Sequence, residues 1–293
     1  MNYRQLGKSD LRISEISFGC MSLQPNNPAN VQLLRTAFDG GINYFDTADL
    51  YDKGKNEEIV GEAFKPIRDK VILATKVGNQ WRKDGSGWNW NPRKEYILEA
   101  VDDSLKRLQT DYIDLYQLHG GTIEDPIDEA IEAFEILKEQ GKIREYGISS
   151  IRPNVIREWA KRSNMASVMM QYSLLDRRPE EKALDFLLDH NISVVTRGSL
   201  AKGMLINKPA KDYLDYSESE IIKLQKVISE TDNPFKSSLG FALNHKAIAS
   251  AVVGIRTESQ LEDILSIEDT GLNPEVYNRL ANLLTPNKYT AHR

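Results

Sequence analysis

The segment FDTADLY, Phe45 to Tyr51, runs apolar as far as its first aspartate and then turns polar, with a phenol five residues after that carboxylate. The plain reading is a strand capped by Asp46 and followed by a surface loop. Two further apolar runs also end in polar side chains, Lys76 in VILATKVG and His119 in DLYQLHG. Singly, each has an ordinary structural explanation: a cap, a solvated loop lysine, a satisfied core histidine. Together, Asp46, Tyr51, Lys76 and His119 supply an acid, a phenol, an amine and an imidazole, the parts of a proton-transfer site. A phenol with a free pKa of about 10 is a sluggish acid–base catalyst near neutrality. A nearby ammonium favours the phenolate and is expected to bring the group toward a useful range.

Such residues can meet only if the chain carries separate strand ends to one place. YRQLGKSDLRI reads as a hairpin, two brief runs joined by a Gly-Lys-Ser-Asp turn. After it, strand-like runs fall at 16–19, 42–46, 71–75, 112–119, 143–149, 166–172, 192–196 and 248–254. Helical spacing follows each, beginning with Val31, Leu34 and Phe38, and later over 56–64, 96–108, 126–141, 153–163, 179–190, two segments between 217 and 245, and 258–265. Eight strands, each followed by helix, predict an α/β fold, the (β/α)8 TIM barrel with an N-terminal β-hairpin. The competing open doubly wound sheet usually carries a Gly-rich phosphate loop after its first strand. Here that strand runs into FGCMSLQPN, with no GxGxxG. Residues 1–293 are expected to form one barrel domain, since no low-complexity linker interrupts them. Barrels of this kind place their active sites at the C-terminal strand ends, and the inventory there is Asp46, Lys76, His119, Ser149, Ser150, Gln171, Arg197 and Arg256.

Composition narrows the field. With 40% apolar and 28% charged residues the chain can bury a sizeable core as an ordinary globular protein. A net charge of −5 argues against a nucleic-acid partner, which calls for a basic surface. The single cysteine, Cys20, excludes an internal disulfide and suits a reducing compartment. The N-terminus lacks the apolar core of a secretion signal, and no apolar run approaches the roughly 20 residues that cross a bilayer. The expectation is a cytoplasmic protein without a membrane partner.

FDTADLY, ATKVG and YQLHG resemble, in order and spacing, the signature segments of the aldo-keto reductase superfamily. SLKRLQTDYIDLYQLH, GKIREYGIS, MQYSLLDR and VVGIRTESQLEDI agree with it, and the likeness runs from the hairpin to about Leu265. The resemblance implies a (β/α)8 barrel, NADPH as coenzyme, a small-molecule carbonyl substrate and a catalytic tetrad of Asp46, Tyr51, Lys76 and His119. Tyr51 would deliver the proton, Lys76 would tune it, Asp46 would hold Lys76, and His119 would orient the substrate oxygen. It further implies that Ser149 and Gln171 hold the nicotinamide carboxamide, with Ser150 where the family usually has asparagine. Arg197 stands where many relatives place an aromatic that stacks on the nicotinamide, and a guanidinium there can stack or bind a pyrophosphate oxygen. The backbone of Gly198, Ser199, Leu200, Lys202 and Gly203 would line the pyrophosphate. Gly254, Arg256, Thr257, Gln260 and Asp263 would face the 2′-phosphate and adenine, with Asp263 where glutamate is common and Ile264 where asparagine is common. The alternative there is a plain helix start with a threonine cap.

Trp81, Trp88 and Trp90 lie in the irregular segment NQWRKDGSGWNWNP and form either a mobile wall over the substrate or a flap packed on the barrel rim. Three functional classes compete. The first is an NADPH-dependent reductase of aldehydes or ketones. The second is a nucleotide-sensing subunit of the same fold with little turnover, expected to carry a long N-terminal extension, whereas this chain begins at once with the hairpin. The third uses Lys76 as the Schiff-base lysine of an aldolase-like barrel, against which stand the neighbouring Tyr51 and the missing phosphate-loop signature.

Overall fold

The computed structural model describes all of residues 1–293. The chain opens with the antiparallel pair β1 (Tyr3–Gln5) and β2 (Arg12–Ser14). At their turn Gly7 takes φ +57°, and an added Cβ would stand 2.2 Å from the Ala166 carbonyl, so only glycine fits there. Then come β3 (Ile16–Gly19), α1 (Asn30–Asp39), β4 (Tyr44–Asp46), α2 (Lys55–Phe64) and β5 (Ile72–Val77). A second antiparallel pair, β6 (Asn79–Trp81) and β7 (Trp88–Trp90), precedes α3 (Lys94–Leu108), β8 (Ile113–Leu118), α4 (Ile127–Glu139), β9 (Ile143–Ser149) and α5 (Pro153–Arg162). The chain continues through β10 (Ser167–Gln171), α6 (Ala183–Asp189), β11 (Ser193–Arg197), α7 (Glu218–Ser229) and α8 (Pro234–Leu243). It ends with β12 (Ile248–Val253), α9 (Glu258–Leu265) and α10 (Pro274–Ala281).

Strands β3, β4, β5, β8, β9, β10, β11 and β12 close into a parallel barrel in chain order, with β12 pairing back onto β3. Both faces of these strands are covered, which is why they read as nearly continuous apolar runs. Side chains divide by the two-residue period of a strand. One set, including Phe45, Leu73, Tyr116 and Ile148, packs outward against the helices in the larger core. The other, including Tyr44, Ala74, Leu115, Met169 and Val195, fills the barrel interior. Leu6, Leu11 and Ile13 of the hairpin join this inner set and plug the N-terminal end. Two positions further along each inward row stand Asp46, Lys76, Gln117, Gln171 and Arg197, so the same periodicity that packs the core aims these side chains at one mouth.

Two elements differ from the sequence expectation. The helix predicted over 179–190 is interrupted at Lys182 (φ −160°), with a 3-10 turn at Arg178–Glu181 before α6. The preceding residue, Arg177, pairs locally with Glu180 (2.7 Å) and reaches across the fold to the Ala281 carbonyl (2.6 Å), and this long-range bond outweighs local helical spacing. The C-terminal helix α10 has no counterpart in the sequence expectation. Asn273 caps it at the Glu275 amide (2.9 Å), Pro274 opens its first turn, and it packs on α7 and α8. No helix is long and apolar enough to cross a membrane.

Candidate active site

Lys76 sits near the C-terminal end of β5 and is 1% exposed, yet it is fully partnered. Its ammonium donates to Asp46 Oδ2 at 2.6 Å, to the Thr47 carbonyl at 2.7 Å and to the Tyr51 hydroxyl at 3.4 Å. An ammonium has three protons and no lone pair, so all three are committed. Because Lys76 donates to the Tyr51 oxygen, the phenolic hydrogen must point elsewhere, and it remains free to be given away. Asp46 takes a second bond, from Gln117 Nε2 at 3.5 Å.

Tyr51 reaches this point from a sharply bent loop. The three residues after it are all left-handed, Asp52 (φ 50°), Lys53 (φ 55°) and Gly54 (φ 85°). Left-handed backbone at two non-glycine residues is unfavourable and persists only where the surroundings impose it, a pattern that clusters at functional sites. The Tyr51 ring lies 5.0 Å from Lys76 Nζ, and the His119 ring meets it edge-on at 5.8 Å. The backbone of His119 donates to the Val77 carbonyl (2.8 Å), which ties it to β5. Its Nδ1 is buried without a partner in the chain.

The electrostatics assign protonation states. Burial, with Lys76 and Arg197 adding to it, pulls the His119 pKa down to about 3, so its imidazole is neutral at physiological pH. Burial lowers the Lys76 pKa, but Asp46 and Tyr51 outweigh it and hold the ammonium above its ordinary value. Burial raises the Asp46 carboxyl, opposed by Lys76. Tyr51 departs from the expectation of a phenol brought down by its ammonium. Burial raises it more than Lys76 lowers it, because the ring is shut away from water while the ammonium is already paired with Asp46. The resting phenol is protonated, as an acid must be.

Gln117 and Thr47 enter the site without having been expected there. Gln117 had a signal, since it stands two residues before His119 and so shares its inward face. The Thr47 carbonyl had none, since a backbone contact carries no residue-type signature.

The residues proposed for the coenzyme fall into two groups. Ser149, Gln171 and Arg197 end the adjacent strands β9, β10 and β11. Gln171 donates from Nε2 to the Tyr213 hydroxyl (2.9 Å) and accepts at Oε1 from Arg197 Nη1 (3.3 Å). Ser150 is turned to other work, its hydroxyl accepting from the Arg152 amide before α5 (3.2 Å). Beyond β11 the chain coils through left-handed Gly198, Ala201, Lys202 and Gly203. Ser199 is buried and bonded to Thr196 (2.9 Å), Leu200 is half-buried, and Lys202 is exposed. The Ser199 and Leu200 amides find no acceptor in the chain. A backbone curled in this way turns N–H groups toward a shared point, which suits an anion such as a pyrophosphate.

The second group surrounds the start of α9. Gly254 and Arg256 are exposed. Thr257 Oγ1 accepts from the Gln260 amide (3.2 Å), while Gln260 Oε1 accepts from the Arg256 amide (2.9 Å). The threonine cap is therefore real, and Thr257 and Gln260 spend these atoms on it. The Arg256 guanidinium has no protein partner, and Asp263 lies exposed on α9. The two groups suit the two ends of a dinucleotide, because β11 and β12 pair directly, Arg197 beside Val252.

The tryptophan segment is an ordered hairpin, with Asn79 opposite Trp90 and Trp81 opposite Trp88. Trp90 is anchored on the rim. Its indole donates to both oxygens of Asp125 (3.1 and 3.0 Å), and its ring lies so close to Gly78 that a Cβ there would stand 2.6 Å away. Trp88 is exposed. Trp81 is half-buried, with the Lys53 ammonium 5.3 Å over its ring. A surface depression of about 1370 Å³ lies outside the barrel among residues of α1, α2 and α3 such as Gln32, Glu62 and Arg107.

Known proteins resemble the chain over nearly its whole length. The model of the aldo/keto reductase family matches residues 15–285. The uncharacterized oxidoreductase YqkF of Bacillus subtilis is 51% identical over 306 residues, spanning 100% of both chains. The NADH-specific methylglyoxal reductase of Escherichia coli is 33% identical over 229 residues, 71% of this chain and 70% of that protein. Among solved structures, the holo form of aldo-keto reductase AKR11C1 from Bacillus halodurans superposes with a TM-score of 0.97 at 49% identity, covering 100% of this chain and 99% of that one. The chain belongs to the aldo/keto reductase family, oxidoreductases that bind a nicotinamide coenzyme.

Proposed function

We propose that the protein reduces aldehyde or ketone carbonyls of small molecules to alcohols with NADPH, and that Tyr51 is the proton donor. The coenzyme, when bound, supplies a hydride to the carbonyl carbon. Everything else falls to the chain. His119, held neutral, donates a hydrogen bond to the carbonyl oxygen and orients it. As negative charge grows on that oxygen, Tyr51 gives up its free hydrogen. Lys76, already donating to the Tyr51 oxygen, stabilises the phenolate left behind, and solvent later returns the proton. Asp46 keeps the ammonium in place, with Gln117 steadying its second oxygen.

The observation that carries this reading is the Tyr51 hydroxyl 3.4 Å from an ammonium that is itself 2.6 Å from a buried carboxylate. No feature of the molecule favours the nucleotide-sensing alternative. The choice of NADPH rests on Arg256, whose unpartnered guanidinium suits a 2′-phosphate. The E. coli relative is named for NADH, so membership of the family does not decide the coenzyme. A panel of aldehydes, ketones and quinones, followed by loss of NADPH absorbance, tests the reading. Turnover of at least one carbonyl supports it, and no turnover of any contradicts it.

A further inference from the structure

Gln171 is held at both ends of its amide by residues with no part in the tetrad, and this has a chemical consequence. An amide side chain offers two N–H donors and two acceptor lone pairs, and its nitrogen and oxygen look nearly alike in shape. Arginine resolves the ambiguity because it donates and never accepts. The atom facing Arg197 Nη1 at 3.3 Å must therefore be the oxygen, which leaves the nitrogen to face the Tyr213 hydroxyl at 2.9 Å. After these two bonds Gln171 retains one N–H and one lone pair. That remainder is the complement of a carboxamide, which presents one carbonyl and one amino group in reciprocal order.

Resting on the proposed nicotinamide-dependent function, we infer that Arg197 and Tyr213 are positioning residues that lock the Gln171 amide in one orientation, so that it reads the carboxamide of the nicotinamide ring. This assigns Arg197 a task other than stacking or gripping the pyrophosphate. It also brings in Tyr213, which lies between β11 and α7, sixteen residues beyond Arg197. The loop geometry supports the assignment. Tyr213 and Tyr216 bond to each other through their backbones at 3.0 and 3.1 Å. The Tyr216 hydroxyl in turn donates to the Thr285 carbonyl at 2.9 Å, which fixes the segment to the C-terminal region. Tyr213 is thus presented by a braced turn. A hydroxyl can donate as well as accept, so Arg197 sets the orientation of the amide, and Tyr213 holds its nitrogen end where that orientation puts it.

An unlocked amide can rotate by half a turn and satisfy a different partner, whereas a locked one cannot. The probe is a coenzyme analogue in which an acetyl group replaces the carboxamide. The acetyl keeps the carbonyl but has no N–H, so it leaves the locked Gln171 oxygen one bond short. Loss of one such hydrogen bond is worth about tenfold in affinity. The experiment is a fluorescence titration of the full-length protein with NADPH and with its reduced 3-acetylpyridine analogue, for wild type, Arg197→Met, Tyr213→Phe and Arg197→Lys. Expected is a wild-type preference for the carboxamide of about tenfold, falling to about threefold or less in Arg197→Met and Tyr213→Phe. Arg197→Lys, which keeps a donor-only head group, should stay near the wild-type ratio. Binding of both compounds by the wild type without discrimination overturns the inference, and so does an undiminished ratio in both of the first two variants. Failure of the wild type to bind either compound contradicts the functional reading itself, and the inference falls with it.

Discussion

The Lys76 ammonium and the Asp46 carboxylate stand 2.6 Å apart, each almost completely withdrawn from solvent. Removing one member of such a pair leaves an uncompensated buried group and costs about 3–5 kcal/mol. Lys76→Met should therefore destabilise the fold and also abolish turnover, because the phenolate loses the one cation hydrogen-bonded to it. Asp46→Asn should harm turnover less, since the lysine keeps its charge and its bond to the Thr47 carbonyl. Steady-state kinetics on both variants, with urea melts alongside, checks the order. More damage from Asp46→Asn than from Lys76→Met would show the roles to be misassigned.

His119 makes a signed prediction about pH. Its pKa is about 3 in the folded protein against about 6.5 in an unfolded chain. Between those values the unfolded state binds more protons, so stability rises with pH there and is lost as pH falls below 6.5. Above 6.5 the group contributes no slope. At about 1.4 kcal/mol per pKa unit the full effect reaches several kcal/mol by pH 3. Urea unfolding at pH 4.5 and pH 7.5 should show a smaller acid loss in His119→Phe than in wild type. Equal losses in the two proteins would mean that the folded imidazole titrates normally.

The rim of the barrel makes a prediction about order. Asp125 receives the Trp90 indole and also the Thr122 amide at 2.6 Å. The Thr122 hydroxyl donates to it as well (3.1 Å), so Asp125→Ala should strip three donors of their acceptor and cost about 1–3 kcal/mol. Asp125→Asn keeps an acceptor and should cost less. The readouts are the urea midpoint and the emission of Trp90, which should shift toward that of solvent-exposed indole in the alanine variant only. An unchanged spectrum in Asp125→Ala would place the anchor of the hairpin elsewhere.

Coenzyme choice turns on Arg256. A forked guanidinium can make a charge-assisted bond to a 2′-phosphate that NADH lacks. Such a bond is worth about 1.5–3 kcal/mol, roughly 10- to 150-fold in affinity. NADPH should bind more tightly than NADH, and Arg256→Ala should erase most of the gap. The loss should fall on the KM for NADPH with kcat little changed. It should also shrink in the wild type as salt rises, because an exposed contact is screened. Equal binding of the two coenzymes by the wild type would leave this segment as the capped helix start that Thr257 and Gln260 already make.

Much of this site was legible in the chain because strands impose a strict alternation. With eight strands in a barrel, every second residue points inward, and the last inward position of each lies at the mouth. Asp46, Lys76, Gln171 and Arg197 follow from that rule, and so does Gln117, two residues before His119 in YQLHG. The rest depends on contacts between residues far apart in sequence. Tyr213 meets Gln171 across 42 residues, and the turn at Arg178–Glu181 displaces a helix because Arg177 reaches the carbonyl of Ala281. The helix α10 is absent from the sequence expectation although Asn273 and Pro274 are ordinary start signals. The state of Tyr51 is hidden from the sequence for a different reason. A neighbouring ammonium is visible in a sequence, whereas the burial that outweighs it is a property of the whole fold.

The central claim is that Tyr51 is the acid, and the turnover of Tyr51→Phe tests it most directly. The substitution removes the hydroxyl while keeping the ring against His119, so NADPH titration should be nearly unchanged. General acid–base catalysis contributes about 10²- to 10⁴-fold, and kcat should fall by at least the lower figure. Single-turnover measurement keeps slow product release from hiding the loss. A variant that binds NADPH normally and loses kcat on this scale is the predicted result; one that retains more than roughly a tenth of wild-type kcat, against the same scale, contradicts the assignment of the proton to Tyr51.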